Sequence, residues 1–352
     1  MLKKLLLLLL LFMLGAWLAW QQAEQRLTQA QLTFTEPLFE LTAGRSAQSL
    51  CRQWQREQQL AAADCLLLRG YLKFYPQLSQ LQQGVYRLPA QASLLQVLQL
   101  FRQGQVAQFS ITFIEGETLQ QSLDRVAQQP YLQQDITAPE QLAALLQWPS
   151  DWGPAHYDVA ADSSNSAFSS WQRLEGRIFP DTYFFTANTR ASVLLSRAHQ
   201  ALLQRLEQLW QQRDPLLPLQ NKYQLLIMAS LIEKESGHDA EKGLISSVFV
   251  NRLNSNMRLQ TDPTVIYGLT DYSGRITRAN LNNPHPYNTY RHHGLPPGPI
   301  SLVGASSIRA AAQPDVSDYY YFVSRGDGSH HFSTTLQQHN AAVRKYILGQ
   351  TQ

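Results

Sequence analysis

Two glutamates and a serine close the otherwise apolar run "MASLIEKESG", Met228 to Gly237. A carboxyl group held against apolar surface keeps its proton to a higher pH than one in water, and a carboxyl group protonated near neutrality is a general acid. Periodicity indicates which glutamate has that surface. At about 100° per residue, Leu225, Met228, Ala229 and Ile232 share one helix face, and Ser236 falls near its middle. Glu233 and Glu235 flank this face on opposite borders, with Glu235 nearer the apolar arc, while Lys234 points away. Glu235 is the candidate acid. Glu233 is expected in a structural ion pair, and Ser236 is expected to orient Glu235 or to cap carbonyls. Gly237 is expected to end the helix, leaving Glu235 at the lip of whatever follows. From the helix alone, a solvated pair of helix-end glutamates is the plain alternative. A carboxylate there is disfavoured by the helix dipole, and half-burial raises its pKa further.

Downstream, "MRLQTDPTVIYGL" and "NNPHPYNTYRHHGLPPGPISLVG" are rich in Asn, Tyr, Gly and Pro and have no charge runs. Such loops make polar, aromatic grooves that suit sugars, whose hydroxyls take hydrogen bonds and whose C–H faces lie on rings. Gln260, Thr261, Thr264, Tyr267, Tyr287, Asn288 and Tyr290 are the candidates to position them, although each singly also fits an ordinary turn. Asp262 is a second carboxylate; an Asx turn or cap ahead of Pro263 is expected of it rather than chemistry. His292-His293 and His330-His331 are adjacent pairs that cannot readily aim both rings at one ion. No His-x-x-x-His falls on a helix, so no metal and no cofactor is expected.

These residues need a folded frame, and 352 residues are enough for a sizeable core. A charged fraction of 16% and a net charge of +3 are too small and dispersed for a nucleic-acid surface. The start, "MLKKLLLLLLLFMLGAWLAW", has two lysines before an apolar run, and bulky Trp17 and Trp20 crowd the places where a signal peptide would be cut. The expectation is an uncleaved transmembrane anchor at 1–24, with the lysines in the cytoplasm and the chain beyond it across the membrane. A linker at 25–37 follows. Residues 38–108 read as a small α+β module: a strand at "LFELTAG", a helix at "SAQSLCRQWQREQQL", a strand at "DCLLLRGYLKFYP" and a helix at "SLLQVLQLFRQG", with a short extended piece in "LQQGVYRLP". Cys51 and Cys65, the only cysteines, fit a disulfide or two small core side chains. Residues 109–352 read as a mixed α+β domain. It opens with a strand turning at Glu115-Gly116 into a helix capped by Thr118, and carries a polar insertion at about 157–172. Helices follow at Ala191 to Gln212, Lys222 to Ser236, "LISSVFVNRL" and "SSIRAAAQ", with "MRLQTDPTVIYGL" irregular between them. A β-hairpin around Gly326-Asp327-Gly328 and a terminal helix from near Thr334 close the chain.

With these residues in order, the chain resembles a known family. "FIEGETL", "EGRIFPDTYFFTANT", "MASLIEKES", "VFVNRL", "MRLQTDPTVIYG", "NNPHPYNTYRHHGLPPGPI" and "YYYFVSRGDGSHHFSTTLQQHN" resemble the membrane-anchored endolytic murein transglycosylases, the YceG-like family. The resemblance implies a single-pass anchor in a bacterial inner membrane, a LysM-like module, and a periplasmic catalytic domain. Such a domain cuts nascent peptidoglycan strands at the β-1,4 bond between N-acetylmuramic acid and N-acetylglucosamine, leaves 1,6-anhydromuramyl ends, and so terminates elongation. It places the catalytic glutamate at the second of the Glu-x-Glu pair, Glu235. Ser236, Gln260, Thr261, Asp262, Thr264, Tyr267, Asn288 and Tyr290 are then its supporting or substrate-binding residues. Implied partners are peptidoglycan strands, the inner membrane and peptidoglycan synthases, with no nucleic acid. The first module departs most from a typical LysM sequence, and neither the cysteines nor "ADSSNSAFSS" are expected of the family. Two rivals remain: a hydrolytic muramidase using Asp262 to activate water, and a glycan-binding scaffold in which Glu235 is inert.

Overall fold

A computed structural model describes residues 2–149, 152, 172–269 and 271–349. The insertion expected at about 157–172 lies outside these residues except for Gln172. The chain is mixed α+β and divides into two compact units, one of Met1–Phe109 with Phe185–Ala187, the other of Ser110–Phe184 with Asn188–Gln352.

In the first unit, helix α1 (Leu2–Gln29) contains a 27-residue segment, Lys3–Gln29, long and apolar enough to cross a membrane. The large apolar side chains from Leu5 to Leu18 are exposed. The stretch expected as a linker is structured. α1 runs on to Gln29, and β1 (Gln31–Thr33) follows, because Leu27 and Leu32 are buried in the unit's core and hold the chain to it. After β2 (Leu38–Leu41) come α2 (Ala47–Arg56) and α3 (Ala62–Phe74), then β3 (Gly84–Arg87), β4 (Gln91–Ser93) and α4 (Leu94–Gln103). β1 pairs antiparallel with β4, and β2 with β3. The strand expected at "DCLLLRGYLKFYP" is the helix α3. Cys65, Leu68 and Tyr71 are buried at a three-residue spacing, a helical period, and Asp64 accepts the Ala61 N–H at 2.8 Å to start it. A disulfide joins Cys51 of α2 to Cys65 of α3.

Next along the chain come β5 (Gln108–Thr112), of which Ser110–Thr112 belong to the second unit, α5 (Leu119–Ala127), β6 (Leu132–Gln133), α6 (Pro139–Leu145), β7 (Thr182–Thr186), of which Thr182–Phe184 belong to it, and β8 (Thr189–Arg190). β5 pairs with β7, and β6 runs parallel to β8. Helices α7 (Ala191–Gln211), α8 (Lys222–Glu235), α9 (Asp239–Asn254), α10 (Asp262–Gly268), α11 (Arg278–Asn282) and α12 (Ala305–Ala312) follow, then β9 (Tyr321–Ser324), β10 (His330–Ser333) and α13 (Leu336–Tyr346). β9 and β10 form an antiparallel hairpin whose turn uses Gly326 and Gly328 at φ 86° and 89°.

α8 is the centre of this unit. Asn221 caps it by accepting the Gln224 N–H at 2.9 Å, and α7, α9, α10 and α12 pack around it. Every residue from Leu225 to Ile232 is fully buried, so the helix has apolar contact on all sides where one face was expected. Its end also differs. Ser236 takes an extended conformation (φ −141°, ψ 130°) and stops the helix, while Gly237 does not use the left-handed region open to glycine. "MRLQTDPTVIYGL" contains the short helix α10 where irregular chain was expected, its first turn favoured by Pro263.

Phe249 of α9 is fully buried in this core and meets the hairpin's Phe322 edge-on, with ring centroids 6.0 Å apart. Phe249→Ala removes that contact and leaves a cavity, so we expect the second unit to lose about 3–5 kcal/mol, measured by denaturant unfolding.

Candidate active site

α8 brings its last residue, Glu235, to a cavity of about 460 Å³ lined also by Arg252, Gln260, Asp262, Tyr290 and Tyr321. The residue is half-buried, with neighbours enclosing its carboxyl group. Burial pushes its pKa up to about 7. The hydrogen bond from Thr261 opposes the rise, the charge of Asp262 adds to it, and His330 and Arg252 oppose it. The position at a helix C-terminus acts in the same direction as burial.

Thr261 Oγ1 donates to Glu235 Oε1. Thr261 is itself buried and fixed: its N–H donates to Thr289 Oγ1 at 3.0 Å, its carbonyl accepts from Thr264 Oγ1 at 2.7 Å, and the Thr264 and Thr289 hydroxyls lie 2.8 Å apart. Gln260, at the cavity wall, has a left-handed backbone (φ 49°), uncommon for a side-chain-bearing residue and frequent at functional sites. Tyr290 donates its hydroxyl to Asp262 Oδ1 at 2.6 Å. Burial and this acidic partner push the Tyr290 phenol well above its ordinary range.

The residues proposed from sequence therefore separate into groups. Glu235, Gln260, Asp262 and Tyr290 line one cavity. Asp262 is neither an Asx turn nor a cap: Thr261 occupies the N-cap position of α10, and the Asp262 carboxylate bonds Tyr290. Thr261 contacts the glutamate directly. Thr264 and Asn288, expected to face sugar, are buried in the frame; Asn288 Nδ2 donates to the carbonyls of Asn283 (2.7 Å) and Leu281 (3.1 Å). Ser236 accepts the His238 N–H at 3.0 Å and shapes the turn after the helix. Tyr287 is buried against Tyr267, and Tyr267 lines a different cavity. Glu233 has the expected ion pair, 3.3 Å from Lys242 Nζ, and also accepts the Gly304 N–H at 2.8 Å.

Sequence reasoning did not place Arg252 and His330 beside Glu235, the candidate acid. Arg252 is buried, donates from Nε to Tyr320 O and from Nη1 to Leu259 O, each at 2.7 Å, and lies 5.3 Å from the Tyr321 ring centroid. Its spacing from Ile245, Val248 and Phe249 puts it on one helix face with them, a signal present in the sequence. His330 Nδ1 lies 2.8 Å from Glu241 Oε2, and its backbone N–H donates to Oε1 at 3.0 Å. Burial raises the Glu241 carboxyl group, but the two His330 hydrogen bonds outweigh it and hold that group below the ordinary range.

The arrangement is a carboxyl group with its pKa pushed up to about 7 at a polar cavity, with a second carboxylate, the Arg252 guanidinium and the His330 imidazole near it. Against known proteins, residues 39–345 match the YceG-like family. A Bacillus subtilis protein named endolytic murein transglycosylase is 34% identical over 79% of this chain and 76% of its own length. A Streptococcus pneumoniae protein of the same name is 28% identical over 80% of this chain, which spans about half (53%) of that relative. A crystal structure of a yceG-like protein from Listeria monocytogenes superposes with a TM-score of 0.50 at 30% identity, covering 89% of this chain and 99% of that one.

A raised carboxyl pKa in the folded state binds its proton more tightly than the unfolded chain does. The stability it contributes is full below the unfolded value and is lost as pH rises through about 7. Glu235→Gln cannot titrate and keeps an acceptor for Thr261. Its melting temperature relative to the wild type should therefore rise between about pH 5 and pH 7 and level off above, read by scanning calorimetry across pH.

Proposed function

The chain belongs to the YceG-like family, and from that membership and the Glu235 cavity we propose that it is a lytic transglycosylase that cuts peptidoglycan glycan strands. The observation that carries the chemistry is the enclosed carboxyl group of Glu235, whose pKa near 7 lets it both give and take a proton.

Glu235, protonated, gives its proton to the glycosidic oxygen between N-acetylmuramic acid and N-acetylglucosamine, and positive charge develops at the muramyl C1. The resulting carboxylate then takes the proton of the same sugar's C6 hydroxyl, whose oxygen closes on C1. A 1,6-anhydro end forms, the leaving sugar keeps the first proton, and Glu235 regains one. The substrate supplies the nucleophile, so a single carboxylate completes the cycle. Thr261 holds Oε1 through both steps, leaving Oε2 to exchange the proton. Arg252 and His330 stabilise the carboxylate between the steps; Gln260 and Tyr290 meet sugar hydroxyls at the cavity wall.

In this reading the apolar part of α1 anchors the chain in the bacterial inner membrane, and the chain beyond it faces the periplasm. Residues 38–108 form a LysM-like module, and residues 109–352 form the catalytic domain. The cut terminates nascent strands beside a peptidoglycan synthase. Asp262 lines the same cavity, which keeps a hydrolytic muramidase as the second reading.

The products separate the two. Mass spectrometry of uncrosslinked strands treated with the protein should show 1,6-anhydromuramyl ends. Glu235→Gln should lower their rate of formation by about 10²–10⁴-fold, and Asp262→Asn by less than about tenfold. Wild-type activity should fall as pH rises through about 7, because the proton-giving form is lost. Reducing ends from the wild type would mean hydrolysis.

A further inference from the structure

Consecutive residues of two elements line different cavities. Glu235 and Asp262 line the one just described, whereas Lys234 and Pro263 line a second of about 610 Å³. Neighbouring Cα atoms are about 3.8 Å apart, so the two cavities flank the same backbone at the end of α8 and the start of α10. Among the described residues, the second has an apolar wall including Pro263 and Ile266, the rings of Tyr267 and Tyr272, and the polar side chains of Gln120 and Glu175.

Glu175 is 4% exposed, and the mechanism above makes no use of it. Its Oε1 accepts the N–H groups of Leu119 at 2.8 Å and Gly176 at 3.1 Å, and Tyr267 donates its hydroxyl to Oε2 at 3.2 Å. Gly176 has φ 71°, and a Cβ there would stand 2.7 Å from Pro299 Cγ, so this backbone requires glycine. The carboxyl group is thus rigidly presented, and its four acceptor positions exceed the three donors named. Burial pushes its pKa up to about 7, against those hydrogen bonds.

We propose that this second cavity is a glycan subsite, in which the next N-acetylated sugar of the strand lays a C–H face on Tyr267 or Tyr272 and donates a hydroxyl or amide hydrogen to Glu175. The proposal rests on the transglycosylase reading, since a cut within a strand needs sugars held on both sides of the acid. Apolar wall, rings and one buried acceptor suit an N-acetylated pyranose. A peptide stem bearing carboxylates would meet Glu175 and find one lining cation, Lys234, whose Nζ already donates to Gly116 O at 3.0 Å.

The test uses the full chain in detergent with Tyr272→Ala, Gln120→Ala and the shape-preserving Glu175→Gln, on the peptide-free disaccharide that contains only the scissile bond and on long peptide-free strands. Each substitution should lower the ratio of kcat/KM on long strands to that on the disaccharide by at least about fivefold, chiefly through KM. An unchanged ratio overturns the proposal. A defect on stem-bearing strands that vanishes on peptide-free ones assigns the cavity to the peptide and also overturns it. Binding of long peptide-free strands is measured in the Glu235→Gln background, where turnover plays no part. Weaker binding in the cavity variants supports the subsite, and equal binding refutes it, whether or not the wild type makes anhydro ends.

Discussion

The hydroxyl of Thr261 donates to Glu235 and ties the end of α8, a helix buried on every side, to the first turn of the short helix α10. α8 has nowhere to place a charge until its last turn, and there the helix dipole and desolvation both disfavour a carboxylate. An unsatisfied carboxyl group at such a point would turn toward water and leave the cavity. Thr261 prevents this by giving it a fixed donor, itself held by the hydroxyls of Thr264 and Thr289. Whatever moves this threonine cluster moves the Glu235 carboxyl group, so the loop that carries the cluster is as much part of the candidate site as α8.

Opposing influences explain why the Glu235 pKa sits at about 7 instead of higher. Burial and Asp262 favour the protonated form; Thr261, His330 and Arg252 favour the ionised one. A group that must give and then take a proton works best near the ambient pH, which requires both sets. Arg252 has a second part in this balance: it donates to Tyr320 O, just before β9, and to Leu259 O, just before Gln260. The cation near the acid therefore also braces two walls of the cavity that contains it.

Glu235 was legible because the apolar period of its helix and the glutamate at its border are both local patterns. The burial of α8 all round was not, since periodicity reports one face and cannot count the four helices that pack against it. α3 looked like a strand because "CLLL" is a short apolar run; the three-residue spacing of Cys65, Leu68 and Tyr71 carried the truer signal. Arg252 could have been found by the same spacing rule. Glu175 could not, because its neighbours Leu119 and Tyr267 lie 56 and 92 residues away in the chain.

The fate of Thr264 and Asn288 shows why a sugar-like composition misleads about single residues. Among the described residues from Met257 to Gly304 only the short α10 and α11 are regular structure, so their many backbone N–H and C=O groups need other partners. Asn288 takes carbonyls at three places and accepts the Tyr290 N–H at 2.9 Å, and Thr264 bonds the turn of Thr261. Most of the polar content of the loop is thus spent on its own backbone. What remains for the cavity is Gln260, turned outward by its left-handed backbone, and the bonded pair of Asp262 and Tyr290. The buried amide and hydroxyls give those three residues a frame stiff enough to face a polymer without collapsing onto Glu235.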